Sequence, residues 1–200
     1  MLKIGITGGI GSGKTIVCRI FSQLGIPVYD ADFAAKQLMN SNPGLISNLK
    51  KEFGEKIYSA QNELNKKNLA GLIFNNPPAL KKVNSLVHPV VKKDFERWIT
   101  QHEASPYAIE EAAILFESGA HKNMDYVITV SAPEELRFRR VMLRDNVSEE
   151  YVKSISKNQM DENDKIKAAH FEIVNDDQQL VIPQVLKLHT HFLSLVEKQK

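Results

Sequence analysis

Apolar and polar positions divide the start of the chain into three pieces. Leu2-Lys3-Ile4-Gly5-Ile6-Thr7 is a short apolar run that predicts a strand. After a glycine-rich stretch, Val17, Ile20, Phe21 and Leu24 fall at helical spacing and predict a helix over 15–24 with that stripe buried. Cys18, on the same helix, reads as a small packing residue. Gly25 ends the helix, as a residue free to take positive φ does. Ile26-Pro27-Val28-Tyr29 predicts a second strand. A strand–helix–strand crossover of this length implies a parallel sheet with a right-handed connection.

The pattern then changes. Residues 33–104 read as mostly helical, with breaks at Asn42-Pro43, at Asn75-Asn76-Pro77-Pro78 and at His88-Pro89, because the residue before a proline is pushed out of the α region. A short extended piece near Ile57-Tyr58 is the exception. Strand patterns return at Tyr107-Ala108-Ile109, Tyr126-Val127-Ile128-Thr129-Val130 and Phe171-Glu172-Ile173-Val174. A polar, arginine-rich helical stretch covers roughly 134–165. From Gln178 to about Glu197, Leu180, Val181, Val185, Leu188, Phe192 and Leu195 mark an amphipathic closing helix, with Pro183 in its first turn.

Composition narrows the reading. A chain of 200 residues with 42% hydrophobic and 25% charged positions is that of an ordinary globular domain with small insertions. A net charge of +2 is too small for a general nucleic-acid or membrane binder, so neither partner is expected. One cysteine allows no intrachain disulfide and no cysteine-based metal site, which fits a reducing cytosol. Met1 runs straight into the first strand with no leader pattern, and no run of 18 apolar residues occurs, so a cytoplasmic protein is expected.

The strongest chemical signal is Gly8-Gly9-Ile10-Gly11-Ser12-Gly13-Lys14-Thr15, which matches the phosphate-loop pattern G-x-x-x-x-G-K-[ST] between a strand and a helix. Its glycines let successive N–H groups converge on one anion, and the helix start adds a positive dipole end. Lys14 supplies a point charge for the β- and γ-phosphates, and Thr15 a hydroxyl for Mg²⁺. The fold class expected is therefore α/β, a P-loop NTPase core with a parallel sheet flanked by helices and a helical insertion. GTPases add a guanine-reading N-K-x-D; Asn158-Gln159-Met160-Asp161 lacks the lysine and reads as solvated helix.

Asp30-Ala31-Asp32 closes the second strand. Ligands of open parallel sheets bind beyond the carboxyl ends of the strands, and residues two apart on a strand point the same way. One of these carboxylates could take the proton of an attacking hydroxyl; alternatively Asp32 caps a following helix. Glu110-Glu111 end another strand, where one acid can hold the water shell of a metal. Arg137, Arg140 and Arg144 stand at i, i+3 and i+7 on one helical face, suited to neutralising a transferring phosphoryl group. Against that stands a solvated face paired with Glu134, Glu135 and Asp145.

Taken together and in order, several segments resemble the dephospho-CoA kinase family over nearly the whole chain. They are Gly5 to Lys14, Leu24-Gly25, Asp30-Ala31-Asp32, Ile73-Phe74-Asn75-Asn76-Pro77, Leu86-Val87-His88-Pro89, Leu115-Phe116-Glu117-Ser118-Gly119, Arg140 with Arg144-Asp145, Gln159, and the strand ending in Asn175. The resemblance implies phosphorylation by ATP of the ribose 3′-hydroxyl of dephospho-CoA, with Mg²⁺ as cofactor. It implies Asp32 as the base, with Lys14 and Arg140 also in catalysis. Gly11, Ser12, Gly13, Lys14, Thr15 and Ile16 would hold the ATP phosphates, with Arg144 and Asn175 also on the nucleotide. Asp30, Lys36 and His88 would meet the acceptor, and Thr15, with Glu111 through a water, the metal. The implied organisation is a nucleotide core of 1–32, 105–133 and 168–200, an acceptor region at 33–104 and a lid at 134–167. The chain departs from the family's commoner residues at Thr15 (serine), Lys36 (arginine), Glu111 (aspartate), Ala113 (proline) and Ile155 (arginine). The rival readings are another nucleoside or nucleotide kinase, or an ATP-binding switch that transfers nothing. A switch needs no base, so Asp30, Asp32 and Arg140 weigh against it.

Overall fold

The computed structural model describes residues 1–73 and 76–198; Phe74 and Asn75, part of the Ile73–Pro77 segment and of the break expected there, lie outside the described residues. The strands are β1 (Leu2–Thr7), β2 (Val28–Asp30), β3 (Tyr107–Glu111), β4 (Tyr126–Ser131) and β5 (Phe171–Val174). The helices are α1 (Lys14–Gln23), α2 (Ala31–Ser41), α3 (Pro43–Phe53), α4 (Lys66–Ile73) and α5 (Pro77–Thr100). After them come α6 (Glu134–Asp145), α7 (Glu149–Ser156), α8 (Glu162–Ala168) and α9 (Val181–Glu197).

The strands form one sheet in the order β2-β3-β1-β4-β5, every pair parallel. The α/β class with helices flanking a parallel sheet is therefore as the sequence predicts. The second strand starts later than its apolar run. Ile26 spends its N–H on Phe21 O at the end of α1, and Pro27 has none to give, so regular pairing begins at Val28.

Cα packing divides the chain into two units, Met1–Asp30 with Ile99–Lys200, and Ala31–Trp98. In the first, β1 is covered on both faces: Ile4 and Ile6 on one and Gly5 and Thr7 on the other are all buried, with no exposed polar position between them. Val17 and Phe21 of α1 join them in one core, with Val185, Leu188 and Phe192 of α9. Phe192 lies with its ring centroid 5.4 Å from Tyr107, 5.6 Å from Phe171 and 5.8 Å from Tyr126. Truncating so buried an aromatic costs about 3–5 kcal/mol. Tyr107 keeps its hydroxyl satisfied inside this core by a 2.7 Å hydrogen bond with His189 Nδ1.

The second unit is helical. Asn42 caps α3 by accepting from Leu45 N–H at 2.9 Å, and Pro43 follows at the first helical position. Three expectations are corrected here. Residues 55–57 form a 3-10 turn, and Tyr58 makes only an isolated bridge with Leu64. His88-Pro89 is no boundary, because α5 runs through it. Val83, Val87, Val91 and Phe95 stand four residues apart and are all buried. At about 1.5–3 kcal/mol each, their burial outweighs the roughly 3 kcal/mol cost of an interior proline. Finally, α2 begins at Ala31, so Asp32 lies in its first turn rather than at the cap or on a strand. Strand alternation therefore does not relate it to Asp30.

The arginine-rich stretch is three helices rather than one. Asn146, at φ 52°, ends α6. Ser148 caps α7 by accepting from Tyr151 N–H at 3.3 Å, and Asp161 caps α8 by accepting from Asn163 N–H at 2.8 Å.

Candidate active site

The carboxyl ends of the first unit's strands carry the residues of interest. The loop Gly8–Gly13 leaves β1 and enters α1, whose start has no side-chain cap and no acid in its first turn. That leaves the positive dipole end without a built-in anion. Ser12 N–H donates to Gly9 O and Ile16 N–H to Gly13 O, closing the turn. Gly13 has φ 96°, and a Cβ there would lie 2.1 Å from Asn175 Nδ2. That nitrogen donates to Ser12 O at 2.8 Å, so the residue after β5 braces the loop from outside. Gly11, at φ 78°, is pressed against Arg137 O, which a Cβ would approach to 2.3 Å. Lys14 Nζ folds back to Gly8 O at 3.0 Å and Gly9 O at 3.4 Å. Ser12 is fully buried, and its Oγ has no partner among the described residues. A buried hydroxyl left this way beside an uncapped helix start fits a bound oxyanion.

Thr15 and Glu111 meet in this region. Thr15 Oγ1 donates to Glu111 Oε1 at 3.1 Å, and the Cys18 thiol, one turn further along α1, also donates to Glu111. Burial raises the Glu111 pKa, with Lys14 nearby pulling it down. Burial likewise raises the Cys18 thiol, helped by the Glu111 charge. The thiol is thus an inert packing and donor group rather than a nucleophile. Glu110, pointing to the opposite face of β3, is pushed up to about 7 by burial. A hydroxyl and a carboxylate this close are hard oxygen donors, the chemistry that Mg²⁺ takes, directly or through its waters. Among the described residues no group of three or more His, Cys, Asp or Glu side chains gathers to hold a metal. Asp30 pairs in register with Glu111 across β2 and β3.

The arginines of α6 do not act alike. Arg137 is buried, donating from Nε to Ala132 O at 3.1 Å and standing 3.8 Å from Glu162. Arg140 donates to Asn175 O at 3.1 Å and pairs with Asp177. Arg144 is exposed and holds Asp145 through two hydrogen bonds of 2.7 and 2.8 Å. The face expected from spacing is therefore split, with Arg140 alone turned to the end of β5 beside the phosphate loop.

Residues 158–161 are not solvated helix. They make the turn between α7 and α8, and that turn touches the phosphate loop. Ile10 N–H donates to Gln159 Oε1 at 2.9 Å and Gly9 N–H to Glu162 Oε2 at 3.3 Å. A cavity of about 310 Å³ opens beside Gly9, lined among others by Arg137, Lys153, Lys157, Gln159 and Glu162. Behind the turn, Met160 N–H donates to Glu117 Oε1 at 2.6 Å. The fully buried Lys165 pairs with the same oxygen at 3.3 Å and donates to Ala113 O at 3.3 Å. Sequence reasoning assigned no role to Glu117, Gln159, Glu162 or Lys165. The available signal was the appearance of Glu117 and Gln159 within segments of the family resemblance.

In the second unit, Asp32 and Lys36 are exposed on α2, and His88 is half-buried on α5, where burial lowers its pKa. Along the chain, Asp32 follows the end of β2 by two residues.

A family model described as dephospho-CoA kinase matches residues 2–180. A dephospho-CoA kinase of Porphyromonas gingivalis is 42% identical over 189 residues, 94% of this chain and 93% of that one. One of Bacteroides fragilis is 38% identical over 187 residues, 94% and 91% of the two chains. Among solved structures, one from Thermus thermophilus superposes with a TM-score of 0.83 at 33% identity, covering 95% of this chain and 96% of that one.

Proposed function

This chain belongs to the dephospho-CoA kinase family, and we propose that the phosphate loop, Asp32 and Arg140 divide the work of its reaction among them. The enzyme transfers the γ-phosphoryl group of ATP to the ribose 3′-hydroxyl of dephospho-CoA, giving CoA and ADP, the last step of CoA biosynthesis. Such a transfer is mostly positioning and charge stabilisation.

The observation that carries the assignment is the Thr15–Glu111 hydrogen bond at the mouth of an uncapped phosphate loop. Gly11 to Ile16 hold the phosphates of ATP through loop amides and the helix dipole. Lys14 exchanges its two carbonyl partners for β- and γ-phosphate oxygens, a stronger charge-assisted bond. Thr15 would hold Mg²⁺, with Glu111 reaching it through a water. Held there, the ion would supply Lewis-acid neutralisation of the phosphate charge. Asn175 lies by the nucleotide. Arg140 clamps the transferring group, which requires it to exchange Asp177 for phosphate. Arg144, engaged with Asp145, makes the same exchange more peripherally.

Asp32 accepts the proton of the attacking hydroxyl, and Asp30, Lys36 and His88 orient the acceptor. Their support is the family resemblance, together with the position of Asp30 at the carboxyl end of β2 and of Asp32 two residues beyond it. Residues 33–104 receive the acceptor, and 134–167 act as a lid that keeps water from the γ-phosphate. The partners are thus two small nucleotides. A single buried cysteine supports a reducing cytosolic setting; no helix among the described residues is long and apolar enough to cross a membrane.

The test is to mix the protein with ATP, Mg²⁺ and dephospho-CoA and follow CoA and ADP by mass. CoA formation, without transfer to adenosine or nucleoside monophosphates, is expected. ATP binding with no transfer to dephospho-CoA would discard the acceptor assignment.

A further inference from the structure

Two acceptors, Gln159 in the turn between α7 and α8 and Glu162 at the start of α8, close on the phosphate loop from outside. Gln159 Oε1 takes the Ile10 N–H at 2.9 Å, and Glu162 Oε2 takes the Gly9 N–H at 3.3 Å. These amides precede the segment Gly11 to Ile16 that we assign to the phosphates, so both contacts are compatible with bound ATP. The acceptors are themselves held. Met160, between them, donates its N–H to Glu117 Oε1, and Glu117 pairs with the fully buried Lys165 of α8. Lys165 also donates to Ala113 O, just past β3. Arg137, on the other side, stands 3.8 Å from Glu162 while its backbone carbonyl crowds Gly11. The outer half of the loop is therefore fixed by side chains that reach it from α6, the α7–α8 turn and, through Lys165, the segment after β3.

We propose that Gln159 and Glu162 are a positioning pair for phosphoryl transfer. By satisfying the Ile10 and Gly9 amides they set the curvature of the phosphate loop, and the Glu117–Lys165 pair keeps them in place. Neither side chain touches the reacting atoms; each acts through the loop amide it accepts from. Ile10 packs its side chain against the Phe138, Val141 and Val152 cluster, but the glycines on either side of it have no side chain to fix the backbone, so acceptors from outside the loop keep its N–H groups convergent. The inference rests on the loop holding ATP, as proposed above.

The experiment compares Gln159→Leu, Glu162→Leu and Glu162→Gln in the full chain. It reads kcat and KM for ATP at saturating dephospho-CoA, the thermal midpoint, and hydrogen exchange at the Gly9 and Ile10 amides. Each leucine variant is expected to exchange its partner amide faster. Each also loses about 10- to 100-fold in kcat, the scale on which small misplacement of reacting groups acts, while KM for ATP stays near wild type; the thermal midpoint stays near wild type in Gln159→Leu and falls in Glu162→Leu, which leaves the buried Arg137 without its carboxylate. Glu162→Gln keeps an acceptor and loses much less. Unchanged kcat in both leucine variants overturns the proposal. So does a joint fall of kcat, ATP affinity and thermal midpoint in Gln159→Leu, which marks a purely structural contact. Faster turnover or tighter ATP binding in Glu162→Gln overturns it as well, since the carboxylate is then a competitor of phosphate. If the wild-type chain itself makes no CoA in this assay, the functional reading has failed instead, and amide exchange alone decides whether the brace exists.

Discussion

Thr15 and Glu111 are joined by a hydrogen bond of 3.1 Å that ties the first turn of α1 to the carboxyl end of β3. The hydroxyl proton is given to the carboxylate, leaving the hydroxyl lone pairs available to a cation. Burial raises the pKa of that carboxyl, and the Lys14 charge opposes the rise, so the bond depends on both neighbours. Glu111→Gln keeps an acceptor but removes the charge. It is expected to lower activity or apparent Mg²⁺ affinity by about 10- to 100-fold, as loss of an outer-shell partner does. A Mg²⁺ titration of turnover checks this; a curve superposable on wild type would separate Glu111 from the metal.

Lys14→Ala removes the point charge that we propose for the β- and γ-phosphates, and turnover should become undetectable while the fold persists. Asp32→Asn should lower kcat by about 10²- to 10⁴-fold, the usual contribution of a general base, with KM for ATP nearly unchanged, as the proposed role toward the acceptor hydroxyl requires. ADP release dependent on dephospho-CoA measures both. Near-normal turnover in Asp32→Asn would end its role as base.

Glu110 carries a pH dependence of stability. Burial lifts its pKa from 4.5 to about 7, so the folded chain binds a proton that the unfolded chain releases. The stability contributed by this group is fully present below pH 4.5 and is lost as pH rises toward 7. The loss amounts to about 3 kcal/mol at 1.36 kcal/mol per unit. Glu110→Gln stays neutral throughout. Its denaturant midpoint should fall less than that of wild type between pH 5 and 8; equal slopes would show that Glu110 does not titrate there.

Where local chemistry decides structure, the sequence is readable. The phosphate loop lies between β1 and α1 because Gly8 to Thr15 permits nothing else at that junction, and four of the strands fall on their apolar runs. Tertiary packing hides the rest. His88-Pro89 looks like a break, yet burial of Val87 and Val91 on either side carries α5 through it. Arg137 looks like a surface charge, but Ala132 O and Glu162 satisfy its guanidinium in the interior. Gln159 sits in a polar stretch whose periodicity says nothing of the loop amide it reaches from far along the chain. A long-range hydrogen bond to a backbone N–H leaves no spacing to detect, since the partner's side chain takes no part.

Lys165 gives the sharpest test of the support behind that contact. It is fully buried, and its ammonium is met by Glu117 and by Ala113 O. Lys165→Met preserves length and apolar packing but leaves Glu117 without its cation. Breaking a buried pair from one side costs about 3–5 kcal/mol, a large share of a typical domain's stability. Replacing both, as Lys165→Met with Glu117→Gln, removes the unpaired charge and leaves a carboxamide able to accept from Met160 N–H. The double variant should therefore recover part of the loss. Denaturant unfolding of the two single variants and the double variant measures this coupling. A double variant no more stable than the sum of its parts predicts would mean that Glu117 and Lys165 serve the fold separately. The Gln159 brace would then have to be anchored by Glu117 alone, through its bond to Met160.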